Sequence, residues 1–221
     1  MTVVAIDGPA GSGKSTLARL LAERLGFGYL DTGAMYRAIA YLALRDGVAL
    51  DDGATLAALA RSAHLRFGYD GRIHAGDVDV SEEIRCPAVS AAVSEASAHP
   101  EVRTVLVEEQ RRIAAGHDVV MEGRDIGTVV CPQAPVKVFL VAAPEERAER
   151  RRKELIARGE HVKAAETLAA INARDAQDSS RHVAPLRPAA DAVVLDSSQL
   201  SIEEMVAAAA AIVAERSGER R

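Results

Sequence analysis

Apolar positions along this chain fall into short unbroken runs separated by longer stretches with a three-to-four-residue beat. Residues 3–6 form an apolar, mostly β-branched run closed by Asp7-Gly8, the pattern of a strand buried on both faces. Leu17, Leu20, Leu21 and Leu25 then recur at helical spacing through residues 14–25, with Gly26 placed as a C-cap. Residues 27–30 read as a second short strand, and helices are predicted over 34–45 and 52–63. Residues 65–80 break the rhythm. Their alternation and the turns Tyr69-Asp70-Gly71 and Ala75-Gly76-Asp77 predict a small antiparallel insertion.

Two helices follow at 87–98 and 100–115, each with Pro near its first turn. Residues 119–121 and 136–141 are buried-type strands, each leading into a polar segment. Pro144 opens a strongly basic helix through Arg158-Gly159, and 164–181 continues as helix. Residues 192–195 form a last strand, and Ser201-Ile-Glu-Glu opens the final helix with capping-box spacing. Strands alternating with helices predict a doubly wound α/β fold on a parallel sheet.

Composition narrows the class. The chain has 221 residues, enough for one domain with a full core, and 48% hydrophobic with 27% charged residues is ordinary for a folded protein. Aromatics are 3% with no Trp, so the core must be aliphatic. The net charge of −5 has the wrong sign for a protein that mainly holds a nucleic-acid backbone. Lys supplies only 4 of the 27 basic residues. Cys86 and Cys131 show neither metal-type spacing nor a disulfide framework and are expected as free thiols in a reducing cytoplasm. The first residues show no basic-then-apolar leader, and the longest apolar run, 205–214, is too short to span a bilayer.

Gly8-Pro9-Ala10-Gly11-Ser12-Gly13-Lys14-Ser15 fits G-x-x-x-x-G-K-[ST] between a predicted strand and a predicted helix, the context that motif needs. The glycines let successive N–H groups point inward at phosphate oxygens, and the helix N-terminus adds unpaired N–H groups and partial positive charge. Lys14 would reach the β- and γ-phosphates of ATP, and the Ser15 hydroxyl would ligate Mg²⁺, with Thr16 completing the loop. GTPases, ATPases and many kinases share this loop, so it leaves the acceptor open.

Three segments bear on the acceptor. Thr32 stands at a helix start with Arg37 one turn later, which fits either an anion site or an ordinary N-cap with a surface Arg. Glu122-Gly123-Arg124-Asp125 follows a strand's carboxyl end, where open α/β sheets bind ligands. Arg147, Arg150, Arg151 and Arg152 crowd the basic helix. Arg150 and Arg152 fit a solvated ion-pair ladder, whereas Arg147 and Arg151 are the better candidates for a lid that brings charge to a transferring phosphoryl group. Arg174, Asp178 and Arg181 share one helix face.

The runs GPAGSGKS, LDTGAMYR, VDVSEEIR, EGRDIGTVV, PVKVFL, RDAQDSSR and VAPL, in this order and over essentially the whole chain, resemble the bacterial cytidylate kinases. The resemblance implies a nucleoside monophosphate kinase fold, with a five-stranded parallel core in a single domain over 1–221. An acceptor-binding insertion is expected at about 64–85 and a helical lid at about 145–165. It implies that Thr32, Arg37, Arg124 and Arg181 contact the acceptor phosphate or its surroundings. Ser94, Arg103 and Asp125 would read cytosine, and Arg174 with Asp178 would meet the sugar. Catalysis would fall to Lys14, Arg124, Arg147, Arg151 and Arg181. Thr32 replaces the Ser of some relatives and keeps the hydroxyl. Glu122 stands where some relatives carry Asp, with a suggested part in ordering water on Mg²⁺.

The expected reaction is in-line transfer from ATP to CMP or dCMP by a cytoplasmic monomer that engages neither nucleic acid nor membrane. A kinase for another small acceptor, such as UMP or shikimate, shares the chemistry. A P-loop switch NTPase would instead need an N/T-K-x-D motif or a Walker-B Asp, and neither stands out in the sequence.

Overall fold

A parallel sheet with strand order β2-β6-β1-β7-β8 forms the core of the computed structural model, which describes residues 1–68, 71–157 and 159–218. Its strands are β1 (Val3–Asp7), β2 (Gly28–Asp31), β6 (Val119–Gly123), β7 (Val136–Val141) and β8 (Val193–Asp196). β1 lies between β6 and β7, with Asp7 level with Gly123 on one side and Phe139 on the other. All five β1 residues are buried, as the unbroken apolar run requires of a central parallel strand. The switch in strand order places the carboxyl ends of β1 and β6 side by side, where such sheets open to ligands.

By contact density the chain divides into two compact units, one of Met1–Tyr29 with Gly116–Arg221 and one of Leu30–Ala115. In the first, α1 (Lys14–Leu25) and α8 (Ile202–Gly218) pack on the sheet. Leu17, Leu21, Met205, Ala209 and Val213 meet Val4, Ile6, Val120, Val138 and Leu140 there. α6 (Pro144–Ala157) and α7 (Ala164–Ser180) pack on each other. The capping box of α8 forms in full. Ser201 N–H donates to Glu204 Oε2 at 2.9 Å, and Glu204 N–H donates to Ser201 Oγ at 3.2 Å.

The second unit holds α2 (Thr32–Asp46), α3 (Gly53–Ser62), α4 (Pro87–Ala96) and α5 (Pro100–Ala114) around Met35, Ile39, Leu56, Ile84 and Leu106. The expected antiparallel insertion is present as β3 (Leu65–Phe67), β4 (Ile73–Ala75) and β5 (Val78–Asp79). Tyr69 and Asp70 of its first turn, and Arg158 at the expected end of the basic helix, lie outside the described residues.

Two elements carry no periodicity signal: a 3₁₀ turn at Glu83–Arg85 and a π-helical turn at Ile126–Val130. The helix after β2 is capped by Asp31, whose side chain accepts from Ala34 N–H at 2.8 Å. Thr32 is therefore the first helical residue and not the N-cap. Among the described residues no helix is long and apolar enough to cross a membrane, and both cysteines are free thiols.

Candidate active site

The loop after β1 is shaped by its glycines. A Cβ on Gly8 would stand 2.1 Å from the Leu140 carbonyl oxygen, so any side chain there would collide with β7. Gly13 caps α1 in the left-handed region, with φ 92°, and supplies no side-chain cap. A capping oxygen at this point would compete with a ligand for the first N–H groups of α1, and glycine leaves them to a phosphate.

Lys14 is buried and folds back on the loop, its Nζ donating to the Pro9 carbonyl at 2.7 Å and to Ser12 Oγ at 3.5 Å. Burial, then the Arg124 guanidinium, holds its ammonium well below the ordinary lysine range, with Glu122 opposing. Arg174 adds to the repulsion. Three cations concentrated this way make a strong site for a polyanion.

Ser15 Oγ donates to Glu122 Oε2 at 2.9 Å, and Tyr29 Oη donates to Glu122 Oε1 at 2.5 Å. Glu122 is 4% exposed and ends the apolar part of β6. It thus stands near the carboxyl end of β6, within hydrogen-bond reach of the hydroxyl that follows Lys14. Ser15 and Glu122 are hard oxygen donors, as Mg²⁺ prefers. Among the described residues no group of three or more His, Cys, Asp or Glu could hold a metal.

Asp178 organises the arginines. It is 1% exposed, accepts from Arg124 Nε at 2.9 Å through Oδ2 and from Arg181 Nη2 at 2.5 Å through Oδ1. Burial works to raise its carboxyl, yet Arg124, Arg181 and Arg174 together hold it below the usual carboxylate range. α7 ends one residue sooner than expected: Arg181 is its C-cap, outside the helix, so Asp178 on the last turn and Arg181 just beyond it meet the residue that follows β6. Arg124 and Asp125 sit at this strand end, with Asp125 buried.

The basic helix divides its arginines differently from the sequence pattern. Arg147 is 4% exposed and donates to the Ala10 carbonyl in the phosphate loop at 3.0 Å, to the Ala142 carbonyl at 2.9 Å, and to Asp175. Gly11 permits this approach, since a Cβ there would lie 3.0 Å from the Arg147 carbonyl oxygen. Arg151 pairs instead with Glu154 at 3.1 Å on its own helix. Arg152 pairs with Glu149, as an ion-pair ladder predicts. Arg150 does not. It donates to the Ser197 carbonyl at 2.7 Å, to Ser197 Oγ at 3.1 Å and to the Ser12 carbonyl at 3.4 Å, so it braces the phosphate loop from behind. Periodicity could not separate it from Arg152, because the partner lies on the segment after β8.

The remaining candidates belong to the unit of Leu30–Ala115. Ser94 and Arg103, both buried, are joined by the turn between α4 and α5. Ser97 Oγ donates to the Ser94 carbonyl at 3.2 Å, and Arg103 Nη1 donates to the Ser97 carbonyl at 3.4 Å. The Arg103 guanidinium lies over the Tyr36 ring, 5.4 Å from its centroid, a stacking contact that spacing alone does not predict. Arg37 lies 3.9 Å from Asp31, and Thr32 is 3% exposed.

A family model described as cytidylate kinase matches residues 4–215 of this chain. The cytidylate kinase of Pelotomaculum thermopropionicum is 54% identical over 207 residues, which covers 92% of each chain. That of Geobacter sulfurreducens is 51% identical over 217 residues, covering 97% of this chain and 93% of its own. That of Nocardia farcinica is 50% identical over 218 residues, covering 97% and 94%. Among solved structures, a gluconokinase from Sinorhizobium meliloti is similar with a TM-score of 0.51 at 15% identity, over 97% of this chain and 92% of its own. At that identity the likeness speaks to the fold alone.

Proposed function

Because the chain belongs to the cytidylate kinase family, we propose that it moves the γ-phosphoryl group of ATP onto the phosphate of CMP or dCMP, giving ADP and CDP or dCDP. The observation that carries this reading is the gathering of Lys14, Ser15 and Glu122 at one strand end, beside the Asp178-held pair Arg124 and Arg181. The acceptor phosphate is already anionic. The protein therefore needs no covalent intermediate and no strong base, only positioning and charge.

In this reading the loop from Gly8 to Thr16 cradles the ATP phosphates, every residue but Pro9 having a backbone N–H to offer. Lys14 leaves the Pro9 carbonyl for the β- and γ-phosphates, whose negative charge offsets its repulsion with Arg124. Ser15 and Glu122 hold Mg²⁺ directly or through water; when bound, the ion neutralises charge developing on the phosphoryl oxygens. Arg124 and Arg181 take the acceptor phosphate, aimed by Asp178, with Thr32 and Arg37 contributing from their own unit. Ser94, Arg103 and Asp125 read the base, since cytosine offers acceptors at O2 and N3 and a donor at its 4-amino group. Arg174 and Asp178 meet the sugar. Arg147, anchored to the phosphate loop, and Arg151 form the cationic part of a lid over about 145–165 that excludes water. The protein acts as a cytoplasmic monomer.

A coupled ADP-release assay with CMP, dCMP, UMP, AMP and GMP tests the proposal. CMP and dCMP should show the highest kcat/KM. Preference for another acceptor would overturn the substrate assignment, and ADP release indifferent to any monophosphate would overturn the kinase assignment.

A further inference from the structure

Asp7 has no role in the site as described, yet it is a buried carboxylate, 5% exposed, at the end of β1 and directly before Gly8. Its Oδ1 accepts from Ile126 N–H at 2.8 Å and its Oδ2 from Gly127 N–H at 2.8 Å. These open the π-helical turn Ile126–Val130, which follows Arg124 and Asp125 without a break. The turn has no side-chain cap of its own, and its later N–H groups, on Val129 and Val130, return to the Asp125 carbonyl. Its cap is thus supplied by another strand, 119 residues earlier in the chain.

The fit leaves little slack. A Cβ on Gly127 would lie 3.1 Å from Lys137 Cδ and 3.4 Å from Asp7 Oδ2, so the turn is seated against β7 and against Asp7 itself. A carboxylate is also the costly way to make this cap. Burial pushes Asp7 up to about 6, with Gly127 and Ile126 N–H groups pulling it down, Asp125 adding to the rise and Lys14 opposing it. An Asn or Ser would avoid that desolvation, but of the three only a carboxylate offers a separate acceptor oxygen to each of the two adjacent N–H groups.

We propose that Asp7 is a positioning residue for the acceptor: by holding both leading N–H groups of the turn it aims Arg124 and Asp125. Through its bond to Gly8 it ties that aim to the phosphate loop. The proposal rests on the assignment of Arg124 and Asp125 to the acceptor nucleotide. A purely structural role for Asp7 would degrade both substrates' binding alike, whereas a positioning role separates them.

The test is a steady-state comparison of wild type, Asp125→Ala, Asp7→Asn and Gly127→Ala, with KM for CMP, KM for ATP and kcat measured for each. Asp7→Asn is expected to raise the CMP KM about tenfold or more, the size of losing one charged hydrogen bond. The ATP KM should stay within about threefold of wild type. Gly127→Ala, which displaces the turn while keeping the carboxylate, should shift in the same direction and decides the matter if Asp7→Asn does not fold. An unchanged CMP KM in the folded variants, or equal rises in both KM values, would overturn the proposal. If Asp125→Ala itself leaves the CMP KM unchanged, the acceptor assignment fails first.

Discussion

Lys14 is a buried lysine folded back on the phosphate loop. It is held against the Pro9 carbonyl while burial and Arg124 disfavour its charge. In the proposed mechanism truncating it removes the cation that follows the transferring phosphoryl group, so Lys14→Ala should lower kcat by at least about 10²-fold, measured at saturating ATP and CMP. Tyr29 supports Glu122 from the side opposite Ser15. Tyr29→Phe should raise the Mg²⁺ concentration for half-maximal rate several-fold and weaken Mn²⁺ binding in the presence of ATP, as read by electron paramagnetic resonance. An unchanged Mn²⁺ affinity would remove Tyr29 from the metal's support. Asp7 makes a pH signature. Its folded pKa of about 6 lies above the ordinary carboxylate value of 3.8, so its contribution favours folding at low pH and is lost as pH rises through about 6. In urea unfolding, Asp7→Asn should therefore gain stability relative to wild type between pH 4 and 7, even if it is less stable at every pH.

At the scale of elements, α1 follows its leucine spacing from end to end, because a helix with one apolar stripe and a glycine stop is specified locally. Leu17 is fully buried against the sheet. Leu17→Ala should cost about 2–5 kcal/mol in urea unfolding while leaving the CMP and ATP KM values of the folded enzyme within about threefold. The α8 capping box and the insertion strands were legible for the same reason, since their signals lie within a few residues. The turn at Ile126–Val130 was not, because its cap is Asp7 and no local spacing announces a partner 119 residues away. Arg150 and Arg152 show the same divide. They are two residues apart on one helix, yet one bonds Glu149 three residues back and the other bonds Ser197 on a distant loop.

For the whole molecule, the core on the five-stranded sheet is mainly aliphatic, as expected of a chain with 3% aromatics. The net charge of −5 disfavours nucleic-acid backbones. Sedimentation equilibrium at micromolar concentration should return the chain mass of 23.4 kDa, unchanged by added DNA; a doubled mass would refute the monomer. The sequence by itself determined what neighbouring residues can do: the alternation of strand and helix, the phosphate loop, the helix caps, and the order of motifs that marks the family. Tertiary structure alone decided which charges meet. Glu122 reaches Ser15 across 107 positions, Arg124 reaches Asp178 across 54, and Asp7 caps a turn in another part of the chain. Backbone preferences act over a few residues and so are written consecutively, whereas a buried charge is satisfied by whatever the topology brings within about 3 Å.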